Sequence, residues 1–593
     1  MANTHDSGAA GLAGDEISPY RIHVSSRYLD LTKQKLELTR LPHEPLEPNK
    51  SRDWWEPKSR IEPLIDFWLE KYDWREQETA FNNQLPQFRT AITPPGSSSP
   101  VRLHFIHVRS SHSNAIPLLL IPPFPFTNLS LGHLINPLTE PEPPSPDGEQ
   151  QRQEQKQPFH VVIPSLPGLG FSDALPSDNA SVIPATTDLL NTLMARLSYK
   201  HYFVSNTASA ASSPAQIDWK LADHLATHHS NNCLGAHFIN PSLAAPKLKE
   251  APLEWVKWSL AKFFHAPILG YQSEDLRSLD EEETQASKTS AGRSPLPTSL
   301  QVGAGNTLLE PNTTSFALCD SPVGLLALVL KVIRVLGAKK EFSPAEIITF
   351  TQTAWLPGPE AAMRLWARCL THQETPPVSK PSKKPNVAIT VFSGTGEPGE
   401  VSGGRVANDL ESQTQAPDVV SPQPASSPYV CPAWANVSYN AVHVRRVPGR
   451  SGLVAWDYPE LIGDGVRGLA ANLLSVDARV QDIVAQQQRP ETVPLQGVVV
   501  QSDSSASTSA PGPGQGGAAV AVARTGPGPV LPSTPQVEAT KWRLSQIREA
   551  SETPKKSLQL DDGDAGMLLS PPDADFDGAS PDTIVVTPPV NMR

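Results

Sequence analysis

An α/β fold with a parallel sheet covered on both faces is predicted by two features of the chain. Apolar runs of strand length recur at 115–121 (AIPLLLI), at the head of 160–173 (HVVIPSLPGLGFSD), at 201–206 (HYFVSN) and at 233–240 (CLGAHFIN). Helical stretches separate the later ones, at 186–199 and 217–230, the second with Leu221, Ala222, Leu225 and Ala226 on one face. Strands that alternate with helices build βαβ units, and continuously apolar strands are those buried on both sides.

The remaining elements follow in chain order. Residues 20–90 read as largely helical, with Val24, Tyr28 and Leu31 at helical spacing, and Ile61, Leu64, Ile65, Trp68 and Leu69 likewise. A Pro-rich stretch with two tryptophans, 41–59, separates the two sets. VRLHFIHV (101–108) alternates as a half-buried strand does, and NVAITVF (386–392) and YNAVHVRRV (439–447) are further strands. Low-complexity stretches at 141–158, 273–312 and 394–428 read as surface insertions, and 1–17 and 488–593 as disordered ends. The last contains one short helical pattern, 537–550, and Ser/Thr-Pro pairs at Thr534, Thr553, Ser570, Ser580 and Thr587, which are either phosphorylation sites or ordinary tail composition.

Composition narrows the function classes. The 62 prolines in 593 residues are roughly twice normal usage, and the 38% hydrophobic content is low for a wholly globular chain. The net charge of -12, without a basic block, argues against nucleic acid as a partner. No apolar run reaches the roughly 18 residues of a transmembrane anchor, and the small, acidic N-terminus does not read as a signal peptide. Four dispersed cysteines with no CxxC pair predict a reducing, cytoplasmic setting and no disulfide framework or zinc ribbon.

Several blocks resemble one family. LELTRLPHEP (36–45), 61–90 and LHFIHVRS (103–110), then INPLTEP (135–141), 159–172, CDSPVGLLALVL (319–330) and VPGRSGLVAWDYPELI (447–462), are similar to the epoxide hydrolases of the microsomal and juvenile-hormone type. The resemblance runs from about 18 to 480 with the insertions removed. It implies an α/β-hydrolase core with a helical cap and an N-terminal meander strapping the two together. The implied organisation is 18–125 for the meander and first core strands, 126–242 and 381–487 for the two halves of the core, and 243–380 for the cap.

The resemblance also implies a reaction. An Asp at a nucleophile elbow opens the epoxide and forms an ester; cap tyrosines protonate the leaving oxygen; backbone N–H groups hold the oxyanion; and a His with an acidic partner activates water. In this chain the oxyanion turn is Pro122-Pro123-Phe124-Pro125-Phe126-Thr127, where Phe124 still offers a backbone N–H. Ungapped extension places Ala208 at the nucleophile. Asp218, in an Asp-Trp pair ten residues on, is the alternative if TASAASSPAQ is an insertion; its other reading is a first-turn helix Asp. Ser209, in a loose variant of G-x-S-x-G, is a third candidate. Gly452 stands at the expected His and Trp366 at an expected Tyr, while Glu397 or Glu400 is the nearest acid after the strand at 386–392.

Two further histidine readings are bland. His443 falls on a strand face, and His224, His228 and His229 share a helix without a carboxylate or cysteine to complete a metal site. No cofactor is expected. Two function classes follow: a pseudoenzyme binding an apolar ligand or, through its tail, a protein partner, with Trp255, Trp258, Phe263, Phe264, Trp355 and Trp366 as candidate pocket aromatics; or an active hydrolase of a hydrophobic epoxide or ester with a relocated nucleophile.

Overall fold

The structure, a computed structural model, describes residues 16–43, 56–141, 156–176, 181–210, 213–288, 311–371, 383–393 and 429–487. The tail, with its helical pattern and Ser/Thr-Pro pairs, and Glu397 and Glu400 lie outside the described residues, as does the unit Leu495–Arg593.

The chain opens with β1 (Ser18–Pro19), α1 (Ser26–Glu37), α2 (Lys58–Glu70) and α3 (Trp74–Gln84), the last capped by the Asp73 carboxylate accepting from Arg75 N–H at 2.7 Å. Val24 precedes α1 instead of joining it, and Leu31 faces solvent; the buried positions of α1 are Thr32 and Leu36. Residues 87–90, the end of the stretch read as helical, belong instead to a strand, β2 (Gln87–Ile92). Pro86 disfavours helix at the residue before it, and α3 ends there.

The core continues through β3 (Val101–Val108), β4 (Ile116–Ile121), α4 (Ile135–Thr139), β5 (Phe159–Pro164), α5 (Val182–Arg196), β6 (Tyr202–Asn206), α6 (Ile217–His228) and β7 (Cys233–Ile239). Among the described residues six helices follow before the sheet resumes: α7 (Pro252–Phe264), α8 (Ser273–Lys288), α9 (Pro311–Asp320), α10 (Pro322–Val335), α11 (Pro344–Trp355) and α12 (Glu360–Thr371). Then come β8 (Asn386–Phe392), β9 (Asn440–Val447), α13 (Val454–Asp457), α14 (Pro459–Val476) and α15 (Ala478–Gln487). The stretch 273–312 is therefore no plain insertion: α8 occupies its first part, with Asp275 and Leu276 buried, because an amphipathic pattern there was masked by its acidic composition.

The nine strands among the described residues form one sheet in the order β1-β2-β3-β5-β4-β6-β7-β8-β9. β1, β2, β3 and β5 pair antiparallel, and β5-β4-β6-β7-β8-β9 pair parallel, so the expected parallel sheet carries an antiparallel wing. Two apolar clusters cover its two faces. One holds Leu119, Ile121, Leu190 and Ile389; the other holds Leu118, Leu120, Ile163 and Leu469. A third joins the N-terminal helices to α10 and α11 through Leu36, Leu64, Trp68, Leu326 and Ile348. Polar links reinforce this strap: Trp355 Nε1 donates to Thr32 Oγ1 at 2.9 Å, and the Tyr72 and Thr349 hydroxyls lie 3.0 Å apart. Among the described residues no single helix is long and apolar enough to cross a membrane.

Candidate functional site

In a sheet of this topology chemistry belongs beyond the carboxyl ends of the parallel strands, where β4 and β6 lead into turns. After β6 the chain does not enter α6 directly. Thr207 donates its hydroxyl to Ile121 O at 2.8 Å, and Ala210 N–H donates to Ile239 O at 3.1 Å, so the turn is stitched to both neighbouring strands. It then passes through Ala215 (φ 51°) and Gln216 (φ 55°) before α6 starts. Two consecutive non-glycine residues in the left-handed region cost of order 1–2 kcal/mol each, so the surrounding packing holds them there.

That detour returns Asp218 to the end of β6. The Asp218 side chain is fully buried in the first turn of α6, beside the N–H of Ala208, the residue that ungapped extension placed at the nucleophile. The two alternative positions therefore meet at one point in space. Burial pushes the Asp218 carboxyl up to about 7, opposed by the Ser213 hydroxyl and the N–H groups of Trp219, Asp218 and Ala208. These donors are near enough to favour the carboxylate, yet neither Asp218 oxygen reaches hydrogen-bond geometry with a described residue, and the Ser213 hydroxyl is likewise unpartnered. Ser213 was not singled out from the sequence, since only the fold of the turn carries it to Asp218.

Ser209 is also fully buried, and its Oγ accepts from Asn240 Nδ2 at 3.2 Å. Phe124, on the turn after β4, is buried with its ring 5.9 Å from that of Trp366 on α12. Its N–H, the candidate oxyanion donor, has no hydrogen-bond partner among the described residues, whereas Phe126 N–H is taken by Pro123 O at 2.8 Å. Trp366 Nε1 is buried without a partner.

At Gly452, where the resemblance leads one to expect a histidine, there is no room for a side chain. Gly452 adopts φ +54°, and a Cβ there would stand 2.2 Å from Asp457 Oδ2 and 3.1 Å from Gly337 O. Asp457 is committed elsewhere: its carboxylate accepts from the N–H groups of Leu453 (2.8 Å), Lys339 (3.1 Å) and Lys340 (2.8 Å), tying α13 to the loop after α10.

The histidines are used structurally. His237 on β7, unremarked in the sequence, bridges Ser205 Oγ (3.0 Å) and Thr390 Oγ1 (2.9 Å) across three strands, and burial holds it near 3, neutral. His224 contacts Thr187 Oγ1 at 2.8 Å and stacks on His228 at 3.9 Å, and His229 pairs with Asp188 at 3.3 Å. No group of three or more potential metal ligands exists among the described residues. His443 is half-buried on β9 against Gly468.

Between cap and core lies a cavity of about 30 Å³, bounded by the Pro125–Thr127 turn, the Gly168–Gly170 loop, α10, α11 and α12. Thr127 carries the only polar side chain of its lining, and neither Asp218 nor Ser209 borders it. Its aromatics are Phe126 and Phe350. The six aromatics named from the sequence line none of it: Trp355 and Trp366 are core, Trp258 packs on Tyr271 and Trp434, and Trp255, Phe263 and Phe264 are exposed on α7.

Residues 17–131 match the family described as the epoxide hydrolase N terminus. The chain is 26% identical over 325 residues to juvenile hormone epoxide hydrolase 2 of the flea Ctenocephalides felis, a match covering 53% of this chain and 58% of the flea protein. It is 22% identical over 365 residues to epoxide hydrolase 1 of Oryctolagus cuniculus, covering 59% and 71%. Its matches thus span about three fifths of the length of relatives such as the flea protein. In fold it resembles the juvenile hormone epoxide hydrolase of Bombyx mori (TM-score 0.53, 18% identity, covering 80% of this chain and 96% of that one). It also resembles the Aspergillus niger epoxide hydrolase (TM-score 0.52, 17% identity, 77% and 97%). With an epoxide hydrolase N-terminal domain set on a strapped and capped nine-stranded core, this chain is a relative of the epoxide hydrolases of the α/β-hydrolase fold.

Proposed function

We propose that this chain is an epoxide-hydrolase-fold binding protein that holds an apolar small molecule between cap and core without turning it over. The observation that carries the reading is Gly452: the expected base position has no side chain, and the room a side chain would need belongs to Asp457. Removing one member of a catalytic unit typically costs several orders of magnitude in rate. The cavity's almost wholly apolar lining fits a hydrophobic ligand. Four free thiols accord with a reducing, cytoplasmic setting.

A second reading, hydrolysis through Asp218, draws on one observation: a fully buried carboxyl at a helix N-terminus, ringed by N–H groups and lacking a hydrogen-bond partner. Its carboxylate would attack an epoxide carbon, breaking the ring C–O bond to leave an enzyme ester and an alkoxide that takes up a proton, or an ester carbonyl, expelling the alcohol to leave a mixed anhydride; with glycine at 452 neither intermediate would have an imidazole to activate water. Purified protein incubated with a styrene-oxide-like epoxide and, separately, a p-nitrophenyl ester, then examined by intact mass and product release, tests both readings. The binding reading expects no product with either compound. Turnover that Asp218→Ala or Ser209→Ala abolishes would overturn it, and a stable adduct lost in Asp218→Ala would identify a stranded nucleophile.

A further inference from the structure

Helix α7 stands off the body of the protein. Of its thirteen residues only Ala261 is buried. Trp258 packs inward on Tyr271 and Trp434, at ring-centroid distances of 5.3 Å and 5.6 Å. On the outward side, Leu253, Val256, Leu260, Phe263 and Phe264 fall at i, i+3, i+7, i+10 and i+11, one face of a helix, and all five are exposed. Phe263 and Phe264 are 81% and 61% exposed and close the helix as an edge-to-face pair. Ile268 and Leu269 continue the apolar surface past the helix, on a turn where His265 (φ 46°) and Leu269 (φ 56°) both hold left-handed backbone. So large a contiguous apolar face on a soluble surface marks a place of contact.

Charge indicates what it contacts. The whole chain has a net charge of -12, yet residues 247–269 hold four lysines and two glutamates. The glutamates pair with two of the lysines, Glu250 with Lys247 at 3.2 Å and Glu254 with Lys257 at 2.8 Å, so the segment keeps an excess of two positive charges, from Lys249 and from Lys262, whose ammonium lies 5.9 Å from the Trp258 ring centroid. A raised helix with an apolar, aromatic outer face and lysines at its flanks is the pattern of an element that lies in a lipid interface, with its rings among the acyl chains and its ammonium groups among anionic headgroups. A second copy of the chain fits less well: a two-fold contact through this face would gather the same lysines from both copies around one patch.

We propose that the α7 face docks this protein on an anionic membrane surface, so that the cap side of the molecule faces the lipid. This stands apart from what the cavity binds. The test is co-sedimentation of the full-length protein with vesicles of phosphatidylcholine containing about one third phosphatidylserine, and with phosphatidylcholine alone, at low and high salt. The expected result is binding to the anionic vesicles that weakens in salt and falls at least about tenfold in Phe263→Ser/Phe264→Ser, with a smaller loss in Lys249→Glu. Leu253→Ser serves as an independent surface variant, and thermal melting checks that each variant stays folded. The proposal is overturned if the wild-type protein stays in the supernatant, or if the double variant binds as well as wild type. Sedimentation velocity showing self-association through Phe263 and Phe264 without vesicle binding would also overturn it, in favour of a second copy.

Discussion

Asp218 combines three properties that rarely coexist without consequence: complete burial, a place in the first turn of a helix, and a carboxyl raised to about 7. A carboxyl whose folded pKa lies above its unfolded value binds its proton more tightly in the native state. Its stabilising contribution is complete below about pH 4 and is lost as pH rises through about 7. Asp218→Asn should therefore be little different from wild type in acid but more stable than it above neutrality. The gap should approach about 4 kcal/mol, read from urea unfolding across that range. Gly452 gives the complementary prediction. Restoring an imidazole there by Gly452→His should not restore hydrolysis, and it should destabilise the fold by about 2 kcal/mol or more, because left-handed backbone and a 2.2 Å clash with Asp457 must both be relieved. Chemical denaturation and a product assay on the same preparation check both halves.

Among elements, α8 shows how the cap is clasped to the sheet. Asp275 is fully buried and receives Arg446 of β9 through two bonds of 2.8 Å, the Tyr429 hydroxyl, and Gln272 N–H at 2.8 Å. A buried carboxylate with four donors is satisfied, but removing it strands a mostly buried guanidinium. Asp275→Ala should cost about 3–5 kcal/mol, and Asp275→Leu/Arg446→Met should recover much of that, measured by equilibrium unfolding. The strap is apolar instead. Leu326 of α10 is fully buried against the N-terminal helices, and Leu326→Ala should cost about 2–5 kcal/mol. Hydrogen exchange should show that loss first in α1 and α2, which lean on the cap through this cluster.

For the molecule as a whole, the cavity and the cap must be considered together. The cavity lies between α10, α11 and α12 on one side and the Pro125–Thr127 turn on the other, so a hydrophobic ligand held there would touch cap and core at once. An apolar ligand present at about a hundred times its Kd should stabilise the native state by about 2.7 kcal/mol. Leu328→Ala, which enlarges the cavity, should tighten that binding, and Met363→Trp, which fills it, should abolish the thermal shift. An unchanged melting temperature across a panel of apolar ligands would leave the cavity without a binding role.

Much of this architecture could be read directly from residue order. The runs at 115–121 and 386–392 are strands because continuous apolar β-branched and leucine side chains are stable only when both faces are covered, and such patterns are local. Glycine at 452 and tryptophan at 366, where the resemblance leads one to expect an imidazole and a phenol, are equally plain, since the identity of a residue needs no folding to detect. Other features depend on approach between distant segments, which no local pattern encodes. Ala208 and Asp218 are alternatives in the sequence and neighbours in space, where left-handed backbone at Ala215 and Gln216 redirects the chain into α6. The aromatics of the cap divided between core and open surface according to how α7 and α12 are oriented on the sheet. Composition drew residues 273–288 as an insertion, whereas the buried contacts of Asp275 and Leu276 made them a helix of the cap. Periodicity and side-chain chemistry specify each element; which elements meet, and which buried groups are left without partners, follows from long-range packing alone.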